Sequence, residues 1–80
     1  MSSVIKTPLP GTFYRRSSPD AAPYVEEGDS VTTGDVVGLI EIMKTFHEIR
    51  SDADGVVARF LVDYEELVDA GQDIIALELG

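Results

Sequence analysis

The chain has 80 residues, and its 15 Asp and Glu against 6 Lys and Arg give a formal net charge of -9. This acidity argues against nucleic acid and against an anionic membrane as partners, because both are bound through clustered Lys and Arg. The absence of Cys and the single His, His47, exclude thiolate metal sites, cysteine nucleophiles and zinc sites built on several histidines. Because the sequence shows no secretory signal and no membrane-spanning apolar run, we expect one cytoplasmic domain over residues 1–80. So small a domain has little room for a deep pocket, which favours a module on which other proteins act.

Runs rich in β-branched and aromatic residues predict strands at residues 36–42, 45–49, 55–62 and 74–79. Gly and Asp residues supply turns between them, at Gly28-Asp29, Gly34-Asp35, Asp54-Gly55 and Gly71. Short strands separated by such turns are typical of an all-β barrel or sandwich.

The chain contains two similar halves. The first match has an offset of 44 and pairs Ile5-Lys6-Thr7 and Gly11 with Ile49-Arg50-Ser51 and Gly55. The second has an offset of 37 and pairs Val31, Gly34 and residues 37–42 with Val68, Gly71 and residues 74–79. The difference places seven extra residues in the first half, in or near the Pro- and Ser-containing stretch at about 14–24, which has loop chemistry. The pattern favours a duplication, with two halves facing each other across a thin core.

One segment carries a competing helical signal. Its apolar residues follow the spacing of one helix face: Phe60, Leu61, Tyr64, Leu67 and Val68. The matching stretch of the first half, residues 25–31, contains Gly28 and lacks that spacing. We therefore expect strand-turn-strand in this segment.

The dipeptide Met43-Lys44 lies between two apolar strands and is the expected tip of a two-residue hairpin. Such turns need positive φ at both central positions, and Asn-Gly is the usual choice. Met-Lys there costs backbone strain of about 1–3 kcal/mol per residue. The strain indicates that these side chains are needed, and a lysine presented on a rigid tip can enter the active site of another protein.

The residues around this tip, Glu41-Ile42-Met43-Lys44-Thr45, resemble the Glu-Ala-Met-Lys-Met pattern of the biotinyl carrier domains of biotin-dependent carboxylases. Residues 8–15 and 18–21 look like the start of the carrier subunits of bacterial and plastid acetyl-CoA carboxylases. The resemblance covers nearly the whole chain. It implies an all-β fold, a flattened β-barrel or sandwich of two four-stranded antiparallel sheets with pseudo-twofold symmetry. It also implies that the extra segment at about 14–24 forms a protruding thumb.

By this resemblance, a biotin protein ligase attaches biotin to Lys44 through an amide bond. The hairpin that the ligase recognises would consist of Glu41, Ile42, Met43 and Thr45 around that lysine. The thumb residues expected to contact biotin are Ser18, Pro19 and Asp20. The tethered ring would carry a carboxyl group from a biotin carboxylase to a carboxyltransferase, with acetyl-CoA favoured as acceptor by the thumb, giving malonyl-CoA for fatty acid synthesis. Tethering makes this delivery intramolecular, and the domain itself would be a non-catalytic carrier.

Four places in the chain depart from the family pattern. Ile42 stands where Ala is usual and Thr45 where Met is usual, which bears on ligase efficiency and partner preference. Arg16-Ser17 stands where Thr-Pro is frequent, which bears on contacts with biotin. Tyr64-Glu65-Glu66 occupies a position where a Gly-containing turn is expected, so this turn must be built differently.

Other interpretations remain open. A lysine on a hairpin is usually only solvated, and a methionine beside it can be a gap-filler. The carrier alternatives are a lipoyl domain of a 2-oxo acid dehydrogenase system, whose hairpins usually present Asp-Lys, and a carrier for another acyl-CoA carboxylase. An unmodified β-domain that only binds proteins is the third alternative. We expect His47 on a strand surface, and we expect the acidic residues Glu26, Glu27, Asp29, Glu65, Glu66 and Asp69 to be solvated turn charges, since they lack the spacing of a calcium loop.

Overall fold

The computed structural model of the protein describes residues 1–79 and contains eight β-strands within them. They are β1 (Ser2–Lys6), β2 (Gly11–Tyr14), β3 (Ser30–Val31), β4 (Val36–Ile42), β5 (Thr45–Arg50), β6 (Gly55–Phe60), β7 (Leu67–Val68) and β8 (Asp73–Glu78). No helix that is long and apolar enough to cross a membrane occurs in residues 1–79.

The strands form two four-stranded antiparallel sheets, in the orders β1-β8-β6-β3 and β5-β4-β2-β7. Exchanging β1–β4 with β5–β8 converts one order into the other, so the sheets are related by a pseudo-twofold axis. The expected all-β architecture of two four-stranded sheets is therefore confirmed. The expected strand-turn-strand at residues 60–68 is also what the structure contains, with β6 and β7 on either side of a turn.

The hydrogen bonds in the turns repeat between the halves. The Thr7 hydroxyl, which is buried, donates to the Leu9 carbonyl at 2.6 Å, and its counterpart Ser51 donates to the Ala53 carbonyl at 2.6 Å. The carbonyl of Thr7 accepts from Gly71 N at 2.7 Å, as that of Ser51 accepts from Gly34 N at 2.8 Å. These pairs follow the same offsets of 44 and 37 as the sequence repeat, which supports the duplication.

The predicted end of the strand at residues 55–62 is wrong, because β6 ends at Phe60. Leu61 N still bonds to the Ile74 carbonyl at 2.8 Å, after which the chain turns towards β7. Val62 is buried in the core, so its apolar character reflects burial in a turn and not strand pairing. The strand expected at residues 45–49 extends one residue further, to Arg50, and the strand expected at 74–79 begins and ends one residue earlier, at Asp73 and Glu78.

The core lies between the two sheets and is built from aliphatic side chains around one ring, that of Phe13. Its fully buried members are Phe13, Val37, Ile40, Ile74, Ile75 and Leu77. Gly38 makes room for this ring, since a Cβ at that position would lie 2.6 Å from Phe13 Cε1.

The hairpin between β4 and β5 lies at the end of the molecule opposite the first and last described residues. β5 runs from the hairpin to Arg50, and the next strand begins at Gly55, which pairs with Val31. Ser2 and Val56 both pair with Glu78 at that far end. The longest dimension of the molecule is 37 Å.

Candidate functional site

Met43 and Lys44 form the two-residue tip of the β4–β5 hairpin. Ile42 pairs with Thr45 and Glu41 with Phe46, so only these two residues lie outside the ladder. Their φ angles are 49° and 67°, which places both in the left-handed region. Two consecutive residues with positive φ define a type I′ turn, which matches the right-handed twist of the flanking strands. The expected conformation of the tip is confirmed.

The tip projects its side chains into solvent from a base that is held in place. Met43 is 92% exposed, and Lys44 and Thr45 are also exposed. Below them, Ile42 is half-buried and packs against the core. Glu41 is half-buried and accepts a hydrogen bond from the Tyr14 hydroxyl at 3.0 Å. The five hairpin residues singled out from the sequence are therefore together, with the lysine on the outside and the glutamate tied to β2.

The outer face of the sheet beside the hairpin carries two aromatic rings. Phe46, on β5, meets Tyr14 edge-on, with ring centroids 5.7 Å apart at an interplanar angle of 61°. The hydrogen bond to Glu41 raises the pKa of the Tyr14 hydroxyl above its ordinary value, and partial burial and the charges of Glu41 and Glu65 act in the same direction. Phe46 is 52% exposed, so this aromatic surface is open to a ligand.

The insertion expected at about 14–24 forms the first part of the long connection between β2 and β3, residues 15–29. Its base is closed by a bond from Tyr24 N to the Arg15 carbonyl at 2.9 Å. Its outer part is a turn in which Ala21 N donates to the Ser18 carbonyl at 3.1 Å, with Pro19 at the position that Pro favours in turns. Arg16 braces this turn by donating to the Ala21 carbonyl at 3.2 Å.

Arg15 fastens the insertion to the turn between β6 and β7. Its guanidinium carbon lies 3.8 Å from the Phe60 ring centroid and 4.2 Å from that of Tyr64, so the side chain is stacked between two rings. It also donates to the Val62 carbonyl at 3.1 Å, although its buried Nε has no hydrogen-bond partner within residues 1–79.

A hydrogen bond from Arg16 lowers the pKa of Tyr64 below its ordinary value; partial burial opposes this, and the charges of Arg15 and Arg16 add to it.

The insertion, the two rings and this turn enclose a groove of about 450 Å³, here called the Tyr14–Phe46 groove. Tyr14 and Phe46 are its apolar surface, and its remaining lining residues are Arg15, Arg16, Ser17, Ser18, Pro19, Tyr64 and Glu65. Two of the three residues expected from the sequence to contact a cofactor, Ser18 and Pro19, therefore line it. Asp20 does not line the groove and lies in the turn.

Sequence reasoning missed five residues of this groove: Tyr14, Arg15, Phe46, Tyr64 and Glu65. Tyr14, Arg15, Phe46 and Tyr64 carry no local signal in the sequence, because their contacts form only in the fold. Arg15 meets Tyr64, and Tyr14 meets Phe46, across different strands or turns. Glu65 does carry a signal, since the repeat aligns it with Gly28.

The expected position of His47 is confirmed, on the exposed surface of β5. The acidic turn residues are only partly the solvated charges that were expected. Asp29 and Glu66 accept backbone hydrogen bonds from Glu26 N and Asp63 N, both at 2.9 Å, and so hold two turns together. Across residues 1–79, no group of three or more His, Cys, Asp or Glu side chains is arranged to hold a metal ion.

Two four-stranded sheets related by a pseudo-twofold axis, with a hairpin in one of them that presents a lysine, define the biotinyl/lipoyl-like fold. Solved structures share this fold. A urea carboxylase from Kluyveromyces lactis matches 98% of this chain with a TM-score of 0.77 at 24% identity, over 6% of its own length. A single-chain, multi-domain long-chain acyl-CoA carboxylase matches 94% with a TM-score of 0.76 at 20% identity, over 7% of its length.

The chain belongs to the family described as "Biotin-requiring enzyme", whose sequence model matches residues 3–77. It is related to the biotin carboxyl carrier proteins of acetyl-CoA carboxylase. Identity is 35% over 75 residues with that of Streptococcus pyogenes, 37% over 75 residues with that of Haemophilus influenzae and 38% over 74 residues with that of Nostoc. These matches cover 94%, 94% and 92% of this chain, and 45%, 48% and 41% of the relatives. The chain thus spans less than half the length of these relatives.

Proposed function

We propose that this domain is a carrier of covalently bound biotin and that Lys44 is its attachment site. A biotin protein ligase would join the biotin carboxyl group to the Lys44 amine as an amide. The observation that carries the proposal is the Met43-Lys44 tip, where two residues with a Cβ occupy left-handed conformations that Asn-Gly adopts at lower cost. The membership of the chain in a biotin-requiring family supports biotin as the group attached there.

The carrier acts between two catalytic partners. A biotin carboxylase carboxylates the tethered ring, and a carboxyltransferase passes the carboxyl group on to an acyl-CoA. The exposed tip supports this role, because neither partner needs to open the fold to reach the lysine. Holding the ring on a tether raises its effective concentration at both active sites. Acetyl-CoA is the proposed acceptor, and the names of the relatives support it.

The Tyr14–Phe46 groove is the proposed resting place of the tethered ring, and the insertion is the proposed thumb. Its surface of two aromatic rings suits the apolar face of a bicyclic ligand. Ser18 and Pro19 also line the groove, whereas Asp20 belongs to the turn that contains them and does not line it.

Intact-mass measurement after coexpression with an active biotin ligase tests the attachment site. The chain has only two lysines, Lys6 and Lys44, so matched variants separate them cleanly. We expect the mass of one biotinyl group on the natural sequence and on Lys6→Arg, and none on Lys44→Arg. Lys6 pairs with Asp73 on the strand surface, and arginine preserves that charge. Absence of the added mass with ample biotin refutes the proposal, and an added lipoyl group in its place supports a lipoyl carrier.

A further inference from the structure

The turns that precede β3 and β7 have the same hydrogen bonds but different residues at their left-handed position. In the first, Asp29 N donates to the Glu26 carbonyl at 3.0 Å and Gly28 has φ 96°. In the second, Glu66 N donates to the Asp63 carbonyl at 3.4 Å and Glu65 has φ 55°. Gly28 and Glu65 are related by the offset of 37, so the duplication places a glutamate where its counterpart is glycine.

Folding does not account for a glutamate at position 65. A left-handed backbone is unfavourable for a residue with a Cβ, and Gly, Asn or Asp usually occupies it. Within residues 1–79 the Glu65 carboxylate has no hydrogen bond and no ion pair that would offset this cost. Left-handed residues that the fold does not need are found at functional sites, and the position of this one is therefore informative.

Glu65 is one of the residues that line the Tyr14–Phe46 groove, and it belongs to the turn between β6 and β7. Its charge is among the causes that raise the pKa of the Tyr14 hydroxyl, after the hydrogen bond from Tyr14 to Glu41, partial burial and the charge of Glu41. The insertion residues that line the groove have donor groups, namely the hydroxyls of Ser17 and Ser18 and the guanidinium of Arg16, which also donates to the Tyr64 hydroxyl at 3.4 Å. The groove lining thus combines donors from the insertion with one carboxylate, that of Glu65.

We propose that Glu65 is a specificity-determining residue, whose carboxylate accepts a hydrogen bond from a ring N–H of a cyclic urea seated on Tyr14 and Phe46. The inference rests on the proposed function, because the cyclic urea is the ring of biotin tethered to Lys44. Such a ring presents one carbonyl acceptor and two N–H donors, which match in kind the donors of the insertion residues and the carboxylate of Glu65. A hydrogen bond to a charged acceptor is about twice as strong as a neutral one, so Glu65 contributes more to affinity than either serine.

The test uses biotin methyl ester as a probe on the unmodified chain, so that it does not depend on attachment at Lys44. Binding is followed by NMR through the ring protons of Tyr14 and Phe46. Glu65→Gly removes the carboxylate and suits the left-handed backbone, and Glu65→Gln removes only the charge. Asp63→Asn is the matched control, because it removes one charge from the same turn outside the groove. We expect Glu65→Gly to weaken binding about tenfold, as loss of a charged hydrogen bond predicts, Glu65→Gln to weaken it less, and Asp63→Asn to leave it unchanged.

A probe methylated on both ring nitrogens lacks the N–H donors. It should bind the natural chain as weakly as the Glu65→Gly variant binds biotin methyl ester, and Glu65→Gly should not weaken it further. Equal affinity of the natural chain and Glu65→Gly for biotin methyl ester overturns the inference, as does a failure of the probe to shift the aromatic protons at all. Either result leaves biotinylation of Lys44 standing. Conversely, if the probe binds in a Glu65-dependent way but the ligase does not modify the chain, the Tyr14–Phe46 groove is supported as a binding site for the ring and the proposed carrier function is refuted.

Discussion

Replacing Met43-Lys44 by Asn-Gly should stabilise the domain while removing the lysine. Left-handed backbone costs a residue with a Cβ about 1–2 kcal/mol, and both tip residues are in that region, at φ 49° and 67°. Glycine offsets part of the gain, because it loses about 0.5–1 kcal/mol more conformational entropy on folding. Met43 is 92% exposed, so its removal sacrifices little buried area. The net gain is about 1–2 kcal/mol, which raises Tm by about 5–15 °C in a domain of this size.

The assay is urea unfolding followed by circular dichroism, with Tm from calorimetry as a second measure. The m-value should not change, because the surface exposed on unfolding is nearly the same. Gly71→Ala calibrates the backbone cost in the same molecule: Gly71 has φ 82°, and a Cβ there would meet no atom within 4 Å. This variant should lose about 1–2 kcal/mol. If Gly71→Ala is destabilised as expected and the Asn-Gly variant gains nothing, the hairpin is not strained, and the argument that Lys44 is held there for function loses its basis.

The stacked arginine and the two perturbed tyrosines give two further predictions. Arg15→Lys keeps the charge but loses the planar stacking on Phe60 and Tyr64, so urea unfolding should show a loss of stability of about 1–2 kcal/mol. The control is Arg59→Lys at an exposed position of β6, which should change stability by less than about 0.5 kcal/mol. In an absorbance titration of phenolate formation, Tyr64 should ionise below the ordinary tyrosine pKa of 10.0 and Tyr14 above it, with Tyr→Phe variants assigning each step. Tyr14 therefore contributes stability below pH 10 that is lost as pH rises through its raised pKa, and Tyr64 contributes stability above pH 10 that is lost as pH falls through its lowered pKa. Ionisation of Tyr14 before Tyr64 would contradict the hydrogen bonds to Glu41 and Arg16.

Local pattern and internal repetition were sufficient to predict the hairpin and the pairing of the halves. Runs rich in β-branched and aromatic residues predict the strands on either side of Met43-Lys44, and the two-residue gap then indicates a turn with positive φ at both positions. Thr7 and Ser51, which the sequence repeat pairs, make equivalent hydrogen bonds in equivalent turns, so the structure contains the repeat that the sequence predicts. The two-residue strands β3 and β7 could not be predicted in the same way, since so short a segment carries no period of its own.

The groove could not be predicted, because its walls come from distant parts of the chain. Arg15 meets Phe60 and Tyr64 only after β2 and β6 have been placed in different sheets. The helical spacing of residues 60–68 was misleading for a related reason. Of the five residues with that spacing, Phe60 packs against the core from β6 and Val68 is buried in β7, whereas Tyr64 is 53% and Leu67 77% exposed. The spacing therefore reflects two separate contacts with the core and not one helix face.

The pseudo-twofold axis relates the β4–β5 hairpin to the pair formed by β8 and β1, so the hairpin tip and the ends of the described chain occupy equivalent positions in the two halves. The two halves are covalently joined at Met43-Lys44, and they meet again at the opposite end, where Leu79 N donates to the Met1 carbonyl at 2.9 Å. A circular permutant that is linked at this second junction and opened at the first keeps the pairing of all eight strands in residues 1–79. It also leaves Lys44 on a free chain end, where no turn imposes a left-handed backbone. Permutation therefore separates the fold, which needs only the pairing of the strands, from the presentation of the lysine, which needs the covalent connection between β4 and β5.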